Sequence, residues 1–241
     1  MHIPFDPLER AKETEAVVMQ GTRRKYYRFR ASGHYGGIVT ADAVGCPFLC
    51  AYCWNYWRNE DPAGFGEYYA PFEVVEKLTS VARRKKIDLF RISGAEPVLG
   101  PASFDHLLQV IPAGRFIIET NGLLLGACPD LAVRLAGLNV AVRISIKGWD
   151  GESFERISGA KREFFRYPLI ALKTLLGAGV GAWPAVMGDL FGTEGTKRIA
   201  ALMEEMGIRT RIETEYLERY PGVVATMRQR GWETSGMQVD R

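Results

Sequence analysis

Three of the four cysteines of this chain, Cys46, Cys50 and Cys53, fall within eight residues. The segment reads Cys46-Pro47-Phe48-Leu49-Cys50-Ala51-Tyr52-Cys53 and follows Gly45. Thiols grouped so closely suit a metal or redox role better than a set of disulfides. Gly45 and Pro47 favour a loop over a helix. Gaps of three and then two residues let one short loop wrap around a polynuclear centre. A [4Fe–4S] cubane needs thiolates that converge on its iron corners. Three cysteines fill three corners and leave one iron for an external ligand, because Cys128 lies far along the chain. The competing readings are a zinc site or three core cysteines. Structural zinc sites close with four protein ligands, and the nearest histidine, His34, stands twelve residues before Cys46. Core cysteines need no such spacing.

The elements that must hold this loop alternate along the chain. Hydrophobic periodicity predicts strands over 38–41, 87–93, 115–120, 140–146, 180–187 and 209–213. It predicts helices over 72–86, 103–111, 131–136, 164–178 (despite Pro168) and 194–206. Val74, Val75, Leu78 and Val81 mark the first of these at helical spacing. About six β/α units imply a parallel sheet with right-handed crossovers. Eight units close a barrel in about 250 residues, so six point to a partial (β/α)6 barrel. Barrels of this kind do their chemistry at the C-terminal ends of the strands. The cysteine segment, Gly94-Ala95-Glu96-Pro97, Thr120-Asn121-Gly122 and Lys147-Gly148 all fall just past expected strands. Shared position is the first sign of a single site.

Length and composition set bounds. The 241 residues suit one domain, 1–241, with its core over about 37–215 and residues 1–35 and 215–241 as packed extensions. Apolar residues make up 47%, and 31 basic against 28 acidic residues leave a net charge of +3. That balance selects neither a polyanion nor a membrane as partner. The N-terminus lacks a secretory pattern and no stretch reaches the roughly 20 apolar residues of a membrane span. A cytoplasmic location is the expectation.

Cys46-x3-Cys50-x2-Cys53, with the aromatic Tyr52 before the last cysteine, resembles the signature of the radical S-adenosylmethionine (SAM) superfamily. The resemblance implies that Cys46, Cys50 and Cys53 are the metal ligands of one [4Fe–4S] cluster. It implies that SAM chelates the fourth iron and that Tyr52 lies near the adenine. Gly94-Ala95-Glu96-Pro97 is similar to the family's Gly-Gly-Glu-Pro motif, which receives the methionyl ammonium; Ala95 departs from the commoner glycine. Backbone groups and a carboxylate can take that role. Read alone, the segment is a plain β-turn. Glu119-Thr120-Asn121-Gly122 and Ser145-Ile146-Lys147-Gly148 resemble SAM-contacting positions of the enzymes that activate glycyl radical proteins. Those enzymes typically carry aspartates where this chain has Glu119 and Ser145. Thr120, Asn121, Ser145 and Lys147 thereby become candidate SAM contacts, Lys147 as a compact charge for the carboxylate. Read alone, Asn121-Gly122 is a strong turn former and Lys147 a solvated charge. Asn55 follows Cys53 by two residues, as in the Cys-His-Asn run of the same enzymes, here with Trp54 in the middle.

Other features have plainer readings. Arg23-Arg24-Lys25-Tyr26-Tyr27-Arg28-Phe29-Arg30 mixes basic and aromatic side chains. Such a run can bind nucleic acid, but one run in a nearly neutral chain reads better as an amphipathic strand with a charged outer face. Arg83-Arg84-Lys85-Lys86 closes a helix, where cations suit the dipole. Tyr52, Trp54, Tyr56 and Trp57 are expected to shield the cysteine loop. Trp183 is expected in the core, and Cys128 as a buried thiol.

Three functions follow. The first is an enzyme that cleaves SAM reductively and sets a radical on a partner protein's glycyl residue. The second is a radical SAM enzyme acting on a small molecule such as a modified base or cofactor precursor. The third is a non-enzymatic iron–sulfur or zinc protein. The resemblance adds an electron donor such as ferredoxin or flavodoxin to the partners of the first two. A peptide substrate asks for an open groove able to admit a loop, and a small molecule asks for a closed pocket with convergent polar groups.

Overall fold

The computed structural model describes residues 3–232. Its elements run, in chain order, α1 (Pro7–Val18), β1 (Met19–Gln20), β2 (Arg23–Ser32), β3 (Ile38–Ala43), α2 (Tyr56–Glu60), β4 (Glu67–Tyr69), α3 (Pro71–Lys85), β5 (Leu89–Ser93), α4 (Pro101–Val110), β6 (Arg115–Thr120), α5 (Leu123–Ala127), α6 (Pro129–Val133), β7 (Val140–Ser145), α7 (Gly151–Ser158), α8 (Tyr167–Gly177), β8 (Gly181–Met187), α9 (Gly188–Glu205), β9 (Glu213–Glu215) and α10 (Pro221–Gln229). Residues 1–2 and 233–241, the latter within the expected C-terminal extension, lie outside the described residues.

The described strands form one sheet, in the order β1-β2-β3-β5-β6-β7-β8-β9, with β4 also on β2. From β3 to β9 each neighbour is parallel, whereas β2 joins β3 antiparallel. Six parallel strands taken in sequence order give an open sheet that curls as a partial barrel, with β2 as an added wall. Alternation sorts the side chains. Val39, Phe90, Ile92, Phe116, Ile118, Val142 and Ile144 pack outward against Val74 and Leu78 of α3, Phe104 and Leu107 of α4 and Leu172 of α8. Each such side chain contributes about 1.5–3 kcal/mol on burial. The opposite face carries Asp42, Arg91, Glu119, Arg143 and Trp183.

Several expectations shift. Pro168 is not inside a helix: α8 begins at Tyr167 and takes the proline in its first turn, where no backbone N–H is needed. α5 and α7 were not expected, being short. α9 starts earlier than 194 because non-helical Gly192 (φ 55°, ψ −167°) joins two helical pieces. The last strand is Glu213–Glu215 rather than 209–213; its polar residues are held by pairing with β8 and by side-chain ties, not by apolar burial. The basic run is indeed a strand, but of its charges only Arg23 stands on an outer face, paired with Glu73. Arg24 and Lys25 are buried, and Arg28 and Arg30 line the barrel cavity. The basic end of α3 stands as expected, with Lys86 as a left-handed cap.

A buried histidine ties α4 to β2. His106 Nδ1 lies 2.8 Å from the Thr22 carbonyl oxygen and Nε2 2.9 Å from the Tyr26 hydroxyl. A carbonyl only accepts, so Nδ1 carries the proton and Nε2 accepts from the phenol. Burial lowers His106 to about 4. Between that value and the ordinary 6.5 the unfolded chain binds a proton that the folded chain refuses, so acid weakens the fold. Relative to a His106→Gln variant, the wild type is expected to lose about 3 kcal/mol of stability between pH 6.5 and pH 4. Denaturant unfolding of both proteins across that range checks it; a constant difference would remove His106 as the cause.

Candidate active site

The cysteine loop follows β3 and lies over α7. Leu49 N–H donates to the Ser158 carbonyl (3.0 Å) and Ala51 N–H to that of Ile157 (2.8 Å). Phe48 packs edge-on against Phe154 at 5.4 Å between centroids. From the C-terminal side, Arg230 donates to the Leu49 carbonyl at 2.9 Å. Gly148 allows α7 to come this close, since a Cβ there would strike the backbone of Phe154.

Cys46, Cys50 and Cys53 line one cavity of about 1190 Å³ with Tyr52, Gly94, Ala95, Glu96, Thr120, Asn121, Ser145 and Lys147. The strand ends that the sequence singled out are therefore brought together. Asn55 and Pro97 are not on the wall. Asn55 is fully buried, and its Nδ2 donates to the Gly94 carbonyl at 2.6 Å. The Pro97 carbonyl accepts from Arg24 at 2.7 Å. Both support the wall from behind.

Glu96 fastens the loops to one another. Its carboxylate accepts from Thr120 Oγ1 (2.6 Å), Asn121 N–H (2.7 Å) and Val98 N–H (3.1 Å). Its backbone N–H donates to the Gly45 carbonyl, next to the cysteines, at 3.1 Å. Arg24, fully buried, donates to the Glu96 and Pro97 carbonyls. Burial pushes Glu96 up to about 7, against the pull of its three donors and of Arg24.

Burial favours the neutral thiols and pushes all three upward, Cys50 to about 11, while nearby donors pull the other way. Asn59 Nδ2 stands 3.7 Å from Cys53 Sγ and Asn121 Nδ2 4.0 Å from Cys46 Sγ, both as donors. Lys147 donates to the Tyr52 hydroxyl at 3.0 Å, over the ring face. Burial opposes the charge of Lys147, but Tyr52, Cys50 and Glu215 outweigh it and keep it protonated. The three thiols of one short loop line one cavity, a donor set that fits a cubane taking three of its corners from the protein.

Above the cysteines the inner wall is ionic. Arg91 donates to Glu119 at 2.7 Å. Arg143 donates to Glu213 at 3.0 Å and to Glu215 at 2.6 Å. Burial works against the Glu119 charge, yet Arg91 and Arg143 hold the carboxyl below its usual range, and Tyr35 donates to it at 2.8 Å. Trp183 is not in the core: it lines the cavity and donates to Glu213 at 2.6 Å. Cys128 is exposed between two short helices rather than buried. The aromatic shield is partial, because Trp54 is 42% and Trp57 59% exposed whereas Tyr52 is buried. Asn59, Arg91 and Arg143 escaped the motif reading. The signal for the two arginines was a single charged residue inside an apolar strand, Leu89-Phe90-Arg91-Ile92 and Val140-Ala141-Val142-Arg143; Asn59 carried none.

Comparison with known proteins agrees with this arrangement. The family model of the radical SAM superfamily matches residues 42–206. A probable GTP 3′,8-cyclase of Methanocella arvoryzae is 30% identical over 120 residues, 49% of this chain and 36% of that protein. The chain spans well under half the length of the curated relatives it matches. Among solved structures, SuiB of Streptococcus suis bound to SAM superposes with a TM-score of 0.56 at 15% identity, covering 80% of this chain and 42% of that one. A spore photoproduct lyase mutant with dinucleoside spore photoproduct gives 0.60 at 15% identity, covering 100% and 73%. At that identity the structures speak for the fold alone. The match over most of the chain, on the sheet whose strand ends gather three cysteines, shows that this protein belongs to the radical SAM superfamily.

Proposed function

We propose that this enzyme holds one [4Fe–4S] cluster on Cys46, Cys50 and Cys53, binds SAM beside it, and acts on a small molecule. The observation that carries the reading is one cavity that joins the three thiols to Gly94–Glu96, Thr120–Asn121 and Ser145–Lys147. When bound, cluster and SAM supply a one-electron reductive cleavage to methionine and a 5′-deoxyadenosyl radical, which takes a hydrogen atom from the substrate.

The chain's own residues bind, orient and exclude. Asn59 and Asn121 direct N–H groups at two of the sulfurs and favour thiolate. The Gly94 carbonyl already accepts from Asn55 and Asn59 and Arg24 takes the Glu96 and Pro97 carbonyls, so what that segment offers the methionyl ammonium is the Ala95 carbonyl and the remaining lone pairs of the Glu96 carboxylate. Lys147, held protonated, faces the cavity as a partner for the carboxylate. Tyr52, pinned by Lys147, offers its ring to the adenine. No protein acid or base is needed for the cleavage.

The wall favours a small molecule over a protein glycyl residue. About 1190 Å³ exceeds the roughly 300–1,000 Å³ of common ligand pockets, as a site that takes cluster, SAM and substrate together requires. The wall is made of convergent polar groups. The small-molecule relative, a GTP cyclase by name, is in keeping with this.

The test is anaerobic reconstitution with iron and sulfide, reduction with dithionite, and addition of SAM. The EPR signal of the reduced cluster is expected to shift with SAM, and 5′-deoxyadenosine to form. A well-formed cluster whose signal ignores SAM would refute the reading. A shifted signal with little 5′-deoxyadenosine would mean that cleavage waits for the substrate.

A further inference from the structure

We propose that Arg28 and Arg30, on the strand added in front of the barrel, bind an anionic group of the substrate, a carboxylate or a phosphate. This rests on the small-molecule reading above and adds the substrate's charge class to it.

The sequence of β2 is arranged to send these side chains inward. Its register with β3 slips between Tyr26 and Arg28. Such a bulge re-aims side chains and often stands next to an active site. Tyr26 packs against His106, and Phe29 edge-on against Tyr69, on the helix side of the sheet. Arg28 and Arg30 come out on the other side, in the lining of the cavity that holds the cysteines.

Their pairing leaves charge over. Asp42, its side chain fully buried, accepts from Nε of Arg28 and Nε of Arg30, each at 2.7 Å, and from Nη2 of Arg30 at 3.2 Å. Arg30 alone would satisfy Asp42 with its two-pronged contact. Arg28 is a second cation on the same carboxylate, and its side chain is 46% exposed. Its contact with Asp42 is made through Nε alone. Of the other carboxylates on the wall, Glu119 is taken by Arg91, and Glu213 and Glu215 by Arg143. At the β2 end two cations thus share one carboxylate.

Guanidinium groups with free N–H pairs recognise carboxylate and phosphate oxygens. β2 also lies outside the segment, 42–206, that the chain shares with its superfamily.

The experiment uses the reconstituted full-length protein and two probes, inorganic pyrophosphate and succinate, titrated at constant ionic strength. Tryptophan fluorescence reports binding, since Trp54 and Trp183 line the cavity. At least one probe is expected to saturate the wild type, and Arg28→Gln to bind it about tenfold more weakly, the loss of one charge-assisted contact. Arg28→Gln leaves Arg30 on Asp42, so the fold keeps its buried pair; Arg28→Lys should fall between the two. Which probe binds decides between phosphate and carboxylate. The SAM-induced EPR shift is recorded in the same samples and is expected to persist in Arg28→Gln. Saturation by neither probe, or equal affinity in Arg28→Gln, overturns the proposal. So does loss of the SAM shift in the variant alone, which would give the arginines to SAM. A wild type that never shows the shift indicts the radical SAM reading instead, and the anion titration still stands by itself.

Discussion

Cys50→Ala is expected to reduce 5′-deoxyadenosine formation to background, whereas Cys128→Ala should leave it within about twofold, the range of a neutral surface substitution. The contrast follows from where the four thiols stand. Cys46, Cys50 and Cys53 share one cavity, and Cys50 is 7% exposed. The backbone around it is fixed on both sides, by Leu49 and Ala51 bonded to the end of α7 and by Cys53 N–H donating to the Cys50 carbonyl at 3.0 Å. Alanine fits that backbone, so the variant should fold and lose only a sulfur. Two thiolates hold a cubane poorly, and no fourth cysteine lines the cavity among the described residues. Cys128 is exposed and outside the cavity lining. Iron content, the EPR signal of the reduced cluster and 5′-deoxyadenosine should fall together in Cys50→Ala. Wild-type product from Cys50→Ala, or its loss in Cys128→Ala, would break the assignment of these three sulfurs.

The sequence makes the strand–loop–helix rhythm legible because parallel strands are short, apolar and closed by turn formers. It misses where polar residues have to be explained by tertiary partners. Glu213, Thr214 and Glu215 contain nothing that reads as a strand; they become one because Arg143 and Trp183 hold the glutamates against β8. The basic run shows the same failure from the other side. Counting charges places them in water, but Arg24 finds two carbonyls and Arg28 and Arg30 find Asp42. Motifs located the strand ends well, since each motif is a contiguous loop. They could not show that Asn55 works through the Gly94 carbonyl, nor that Asn59, one helical turn further on, reaches both that carbonyl and a cysteine sulfur. Such contacts join loops distant in sequence.

Glu96 is the residue in which those joins concentrate, and Glu96→Ala is expected to cost about 3–5 kcal/mol of stability and to weaken SAM binding by about tenfold or more. The side chain is 3% exposed. Its removal leaves the Asn121 and Val98 N–H groups and the Thr120 hydroxyl without their acceptor. Each buried donor so stranded costs about 1–3 kcal/mol, reduced where water enters the space left behind. It also takes a negative charge from beside Arg24, which burial already disfavours. The loss falls on function because the three donors belong to two different strand ends, β5 to α4 and β6 to α5, and both form the wall facing the cysteines. Glu96→Gln separates acceptor from shape. It keeps the volume but turns an amide NH2 toward one of the donors, so it should recover part of the stability without restoring full SAM affinity. Denaturant unfolding at pH 8, where the carboxyl is ionised, reads the first effect, and the SAM dependence of the EPR shift reads the second. A Glu96→Ala protein that keeps both stability and SAM affinity would mean that the two loops hold their places through the backbone alone, and that the carboxylate is only a passenger in the wall.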